Sequence, residues 1–526
     1  MVLKSYPSRM KSRHSLPIFV FILLVIGLVA CGPTPTEDVT PTEVIETATE
    51  SAENTATPEP TATTVIEEVT DSAETPTPRS LMYDLTDGRR GEALAALETI
   101  ATSGDQQYIP VLIEVMRAGQ IGTVSWALDE RQQLAIALDE LAGTNIGYDW
   151  PAWVEWYGAT DIVPPDEFTS WKGRLLANID PAFGEFFQDS YESTIRVEEI
   201  QWGGVVVDGI PALDNPTFIE PDKATYLEPD EPVFGLSING DSRAYPLRIM
   251  DWHEMANDVV GDVPVSIAYC TLCGAAVAYD GRASNGETYT FGSSGFLLRS
   301  NKLMYDRQTR TLWNQLTGEP ALGPLVGEEV TLDILPIVLT TWREWQNQHP
   351  DTVVLDNNTG FSRPYEPGAA YADYFSSVDT MFPVWQRNDL LPDKSNVYAL
   401  RLDGVPKAYP IDLLTEELVV NDSVGQTNVV LIAPNGIVET SGRSARSGSD
   451  SSYIPGAEIR AYQRGEHTFA PGEDADTVVD ETGAVWQVTE DALVSADGTM
   501  LDRLGGHLAY WFGWFAFFPN TLVYGQ

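Results

Sequence analysis

VFGLSINGDSRAYPLRIMDWHEMANDVVG, residues 233–261, aligns without a gap to VYALRLDGVPKAYPIDLLTEELVVNDSVG, residues 397–425. Gly240 stands with Gly404, Ala244-Tyr245-Pro246 with Ala408-Tyr409-Pro410, Asn257-Asp258 with Asn421-Asp422, and Gly261 with Gly425. The correspondence continues in Thr309 and Trp313 with Thr482 and Trp486, and in TTWREWQNQHPDT (340–352) with AYWFGWFAFFPNT (509–521). This predicts a duplicated domain over residues 190–526, with two similar halves, 190–360 and 361–526. Glycines kept in both copies fit turns that need positive φ, and Pro246 and Pro410 fit strand ends. The Asn-Asp pairs are expected to cap a turn or a helix.

Working outward, the runs GGVVVDGIP, PVFGLSING, VPVSIAYC, ETYTFGSSG and TLWNQLTG are rich in Val, Tyr, Phe and Thr and are separated by Asn-Gly and Asp-Gly signals. They predict a mainly antiparallel β architecture. Upstream, Ala93, Leu94, Leu97, Ile100 and Ala101 recur at helical spacing, followed by YIPVLIEVMRAG and ERQQLAIALDELAG. Two or three short amphipathic helices resembling a HEAT-type pair, capped by YDWPAWVEWYG (148–158), are therefore expected in a helical module over 83–185. The expected class is α+β, a small all-α module preceding the duplicated, mainly antiparallel domain.

The chain opens with basic residues and the apolar run LPIFVFILLVIGLVA, which stops at Cys31. This reads as a secretory signal over residues 1–31. LVAC resembles the lipobox of bacterial lipoproteins, which makes Cys31 the lipidation site and the membrane, reached through its lipid anchor, a partner. Residues 32–80 are Thr, Pro and Glu rich and carry no aromatic residue until the helical pattern begins, so they are expected to be a disordered linker. The folded part would then be extracytoplasmic, lipid-anchored to the cell membrane or envelope. A formal charge of −46 opposes binding to nucleic acid. It leaves a protein or saccharide partner unidentified.

Beyond Cys31, two cysteines remain, in AYCTLCGAAV. Both Cys270 and Cys273 are absent from the second copy, where Pro434 stands opposite Cys270, Glu417 opposite His253 and Leu418 opposite Glu254. Residues kept in both copies serve a shared scaffold, whereas groups confined to one copy mark chemistry. A C-x-x-C turn presents both sulfurs to one side and can bite a metal ion. With His253 and Met304 as completing ligands the set is soft and suits copper or zinc as cofactor, copper best. Two other readings stand beside it: a thiol-disulfide oxidoreductase, and a structural or partner-binding surface module with an inert disulfide. Whether the protein is an enzyme is left open by the residues.

Other motifs carry less. HEMAND lacks the second histidine of a zinc protease, no G-x-S-x-G elbow is present, and TFGSSGFLLRSN (290–301) reads as a hairpin rather than a phosphate loop. His467 and His507 fall in the second copy without cysteine partners. The ordered set GGVVVDGIPALDNP, AYPLRIMDWHEMAND, AYCTLCGAAVAYDG, FGSSGFLLRSNKLMYDRQTRTLWNQLTGEPALG and TTWREWQNQHPDT resembles the prokaryotic family known as domain of unknown function 3179. Members often have Pro where this chain has Thr271. The resemblance implies the domain and no established activity.

Overall fold

The computed structural model describes residues 76–526; the signal, Cys31 and the linker through residue 75 lie outside the described residues. Helix begins at Pro78, inside the stretch expected to be linker. The Thr77 hydroxyl caps it by accepting the Ser80 N–H at 3.2 Å, and proline at the first helical position loses no hydrogen bond. Six helices follow one another: Pro78–Asp87, Arg90–Ser103, Ile109–Ile121, Leu128–Ala142, Trp150–Gly158 and Phe168–Ala177. The two or three expected are thus joined by others at each end. The first went unread because its apolar face is only Leu81, Met82 and Leu85, set in linker-like composition. Gly104, Gly122 and Gly143 close three of the helices in the left-handed conformation that releases the chain into the next turn.

Lys172, on the last of these helices, is fully buried and ties the helical region to the segment that opens the sheets. Its ammonium meets Glu114 Oε1 at 2.6 Å and donates to the carbonyls of Val197, Glu198 and Ile200. A buried cation needs this complete a set of acceptors.

From Ile200 onward the chain forms several mainly antiparallel sheets. The strand Pro232–Ile238 turns through Asn239-Gly240, both at positive φ, into Asp241–Pro246. That hairpin is flanked by Val338–Thr341 and, in parallel, by Val353–Leu355. The helix Leu247–His253 leads to the meander Met255–Val260, Val263–Cys270 and Ala275–Asp280. Later, Asn396–Leu402 turns through Asp403-Gly404, again both at positive φ, into Val405–Pro410. This second hairpin is flanked by His507–Tyr510 and, in parallel, by Leu522–Val523. The helix Ile411–Glu417 then leads to Val419–Val424 and Thr427–Ile432. Both two-residue turns have the twist that antiparallel neighbours require.

Two expectations are corrected. GGVVVDGIP (203–211) forms turns rather than a strand, with Gly204 and Asp208 at positive φ and Val206 exposed. Asn257-Asp258 and Asn421-Asp422 cap nothing; they lie in the strands Met255–Val260 and Val419–Val424. The Asn257 side chain donates to the Phe291 carbonyl at 2.8 Å and accepts the Phe291 N–H at 3.0 Å. Asn421 does the same to Phe469, at 2.7 and 2.8 Å. Asp258 accepts the Tyr245 hydroxyl at 2.6 Å, and Asp422 accepts the Tyr409 hydroxyl at 2.9 Å. The indole N–H groups of Trp313 and Trp486 go to Asp306 and Asp480, at 2.9 and 3.0 Å. An amide on a strand can serve both polar groups of a neighbouring main chain, which is why such an Asn need not cap.

One apolar core runs through both sets of sheets. Tyr245, Ile267 and Tyr269 share it with Tyr398, Leu431, Ile459 and Leu508.

Candidate functional site

The strand Val263–Cys270 ends on the first cysteine and the next strand begins at Ala275, which pairs with Cys270. Between them the chain turns tightly. The Cys273 N–H reaches the Cys270 carbonyl at 3.2 Å, and Gly274 has φ +60°. Both thiols are free and buried, at 2% and 1% exposure. Cys273 Sγ donates to the Ser300 carbonyl at 3.1 Å. Thr271 donates to Glu254 Oε1 at 3.0 Å, and the Lys302 ammonium meets Glu254 Oε2 at 2.8 Å.

Residues far along the chain close the turn from above. The Tyr510 N–H donates to the Cys273 carbonyl and the Tyr374 hydroxyl to the Leu272 carbonyl, at 2.7 and 2.5 Å. A Cβ on Gly513 would come within 3.1 Å of Cys273 Sγ, so that glycine is what lets the helix Trp511–Phe517 lie on the turn.

The two thiols differ in acidity. Burial opposes charge on Cys270, but the hydrogen bond from Cys273 and the main-chain N–H groups of Lys302 and Cys273 outweigh it and hold its pKa below the ordinary range. Cys273, whose single S–H has both Cys270 and the Ser300 carbonyl within reach, is pushed well up by burial, by its bond to Cys270 and by the nearby negative charge. Cys270 is therefore the more acidic of the two thiols. Asp251, buried beside Glu254, is raised well above the usual carboxylate range, first by burial and then by that neighbour. Tyr269 lies near enough to favour its charge, yet neither Asp251 oxygen has a hydrogen bond of good geometry. The Lys302 ammonium, paired with Glu254, sets a positive charge beside these carboxyl groups.

The two expected completing ligands are held by neighbours of their own. His253 ends its helix with Nδ1 donating to the Pro211 carbonyl at 2.8 Å and Nε2 accepting the Tyr365 hydroxyl at 2.5 Å. Both nitrogens are thus committed in a neutral ring, and burial lowers its pKa. Met304 sits opposite Ser293 and Trp313 and packs with Met255, Val277 and Phe291, a core side chain. Among the described residues no three His, Cys, Asp or Glu are grouped to hold a metal ion. The structure brings the two cysteines together on one turn, while the His253 ring is hydrogen-bonded on both sides and the Met304 thioether is packed in a core.

Three participants escaped the sequence reading. Lys302 and Asp251 carried no motif, and Tyr510 lies in the far half. Glu254 had a signal, since it faces Leu418 in the alignment.

No curated protein and no solved structure matches this chain. A family model described as "Protein of unknown function (DUF3179)" matches residues 207–521, more than half the chain and including the whole thiol turn. The chain therefore belongs to the DUF3179 family.

Proposed function

We propose that the protein is a lipid-tethered, extracytoplasmic module that holds one copper(I) ion between Cys270 and Cys273. The observation that carries this reading is the pair of free, buried thiols on one tight turn, with main-chain N–H groups directed at Cys270. Zinc in a closed protein site wants four donors, whereas a soft monovalent ion is content with thiolate sulfur and few ligands. With His253 and Met304 engaged elsewhere, two sulfurs favour copper(I) over zinc. Binding replaces two S–H protons by two S–Cu bonds and so strengthens as pH rises. Full-length protein in detergent, reduced and titrated with copper(I) against bicinchoninate, should take one equivalent. Cys270→Ser and Cys273→Ser should each lose it. No competition by the wild type would end the proposal.

A second reading rests on the split in thiol acidity. The Cys270 thiolate would attack a partner disulfide and release one partner thiol. Cys273, losing its proton, would then attack the mixed disulfide and release the other. The partner gains two electrons and the pair becomes a disulfide. Burial beneath Tyr510 and Gly513 weighs against it, since attack needs an open line to one sulfur. Turnover of a model disulfide by the wild type and not by Cys270→Ser would favour it over copper storage.

Residues 190–360 and 361–526 as copies of one unit rest on the recurring hairpins and on the matched Asn257 and Asn421, Asp258 and Asp422, and Asp306 and Asp480 hydrogen bonds. A HEAT-like reading of residues 83–185 rests on successive short helices packed on one another. The anchor rests on Cys31 alone; among the described residues no helix is long and apolar enough to cross a membrane.

A further inference from the structure

Between the helix Ala372–Ser376 and the strand Asn396–Leu402 the chain passes over the thiol turn with no helix or strand of its own. Its inner side is apolar: Tyr374, Phe382, Val384 and Leu391 pack in one cluster with Cys270, Leu272 and Cys273. Its outer side leaves Val378 84% and Met381 48% exposed. Among the described residues, no main-chain N–H of residues 378–391 bonds to a main-chain carbonyl. Side chains hold the segment instead. The Ser300 hydroxyl donates to the Pro383 carbonyl at 2.8 Å and the Trp511 indole N–H to the Asn388 carbonyl at 3.2 Å, while Arg387 pairs with Glu155 at 2.8 Å and with Asp393. The far foot is fixed, the Asp393 and Ser395 carbonyls accepting the N–H groups of Phe512 and Trp511. From that foot Lys394 reaches back across the segment. Its ammonium donates to the carbonyls of Tyr374 and Ser377 and lies 3.8 and 5.2 Å from the ring centres of Tyr374 and Tyr510.

We propose that residues 377–392 form a strap closed over the thiols, clasped by Lys394, and that its local release is the way in to Cys270 and Cys273. The other cover is harder to lift. His507–Tyr510 is laddered to Asn396–Leu402, and Trp511 and Trp514 are each 1% exposed, so moving them breaks main-chain bonds and uncovers large aromatic surface. The strap has no ladder to break, and segments held this way open at a fraction of the global unfolding free energy. Lys394 is placed to control it, because one ammonium joins both ends of the strap and lies by Tyr510, whose N–H holds the Cys273 carbonyl. A charged donor makes the stronger kind of hydrogen bond. Release serves the thiol site of the proposed function and rests on that reading, whether a copper ion or a partner disulfide enters.

The test labels full-length, metal-free protein in detergent with iodoacetamide, a small uncharged thiol reagent, and reads both cysteines by mass spectrometry. In the wild type, labelling should be slow and should not change with urea below the unfolding transition, because release of a strap exposes little surface. Lys394→Met should label about tenfold faster, equivalent to about 1.4 kcal/mol lost from the closed state. Arg387→Gln, at a half-exposed ion pair, should label about threefold faster. Once unfolded in urea, all three proteins should label alike, which shows that the thiols' own reactivity is unchanged. Labelling that climbs with urea along the global unfolding slope, or wild-type rates in both folded variants, would overturn the proposal. Copper is absent throughout, so failure of the copper titration strikes the metal reading alone and leaves the strap standing.

Discussion

The Tyr510 N–H donates to the Cys273 carbonyl at 2.7 Å, so the thiol turn is held shut by a strand end more than two hundred residues later in the chain. The turn is therefore only as closed as the contact with the following helix allows.

Gly513 sets that contact. A methyl group there meets Cys273 Cβ and Sγ at 3.1 Å, closer than packed side chains tolerate. Gly513→Val should destabilise the fold by about 1–3 kcal/mol in urea unfolding and speed labelling of the two thiols under native conditions. Unchanged labelling would mean the turn is reached from another side.

The Glu254–Lys302 pair is almost wholly buried. Glu254→Gln strands a buried ammonium and should cost about 3–5 kcal/mol, read as a lower denaturation midpoint. Adding Lys302→Met should return most of that loss, because removing both charges also removes their desolvation. If the double variant is as unstable as the single, the charge argument fails.

Acid should weaken the fold in two stages. Burial brings His507 down to about 4; His349 also falls to about 4, through burial and the nearby Arg460 and Arg503. Both folded values lie below the unfolded one near 6.5, so the stability they contribute is present above pH 6.5 and is lost as pH falls through 4. At Glu458 burial opposes charge, but Arg460, Thr340 and Gln348 outweigh it and bring it to about 2. Its contribution is present above about 4.5 and fades as pH approaches 2. Melting temperatures between pH 7 and 4 should fall less steeply in His507→Gln than in the wild type.

Asn257→Ala and Asn421→Ala should both destabilise, by about 1–3 kcal/mol, since each leaves the main-chain groups of a phenylalanine unpaired. Asn257 should cost more in chemical denaturation, because it also bonds Asp214 and Ser266 and is the more buried. A negligible effect at Asn421 would argue that the matched pair differ in role.

Much of the fold was legible where local chemistry decides. Asn239-Gly240 and Asp403-Gly404 announce their hairpins because few residues adopt two positive φ angles in succession. VPVSIAYC coincides with the strand Val263–Cys270, its β-branched and aromatic residues favouring a pleated surface. GGVVVDGIP misled for the converse reason: its valines favour a strand, but Asp208 and the glycines around them break the ladder.

The site was legible only in its cysteines and in the contrast of Glu254 with Leu418. By itself the sequence determined the Asn239-Gly240 and Asp403-Gly404 turns, the strand Val263–Cys270 and that two thiols share one turn, since those follow from neighbours a few residues apart. Only the tertiary structure decided that His253 bonds Tyr365, that Glu254 pairs with Lys302, and that Tyr510 closes the turn. Such partners are chosen by which groups burial brings together, and a buried polar atom takes whatever acceptor or donor lies within reach, however distant in the chain.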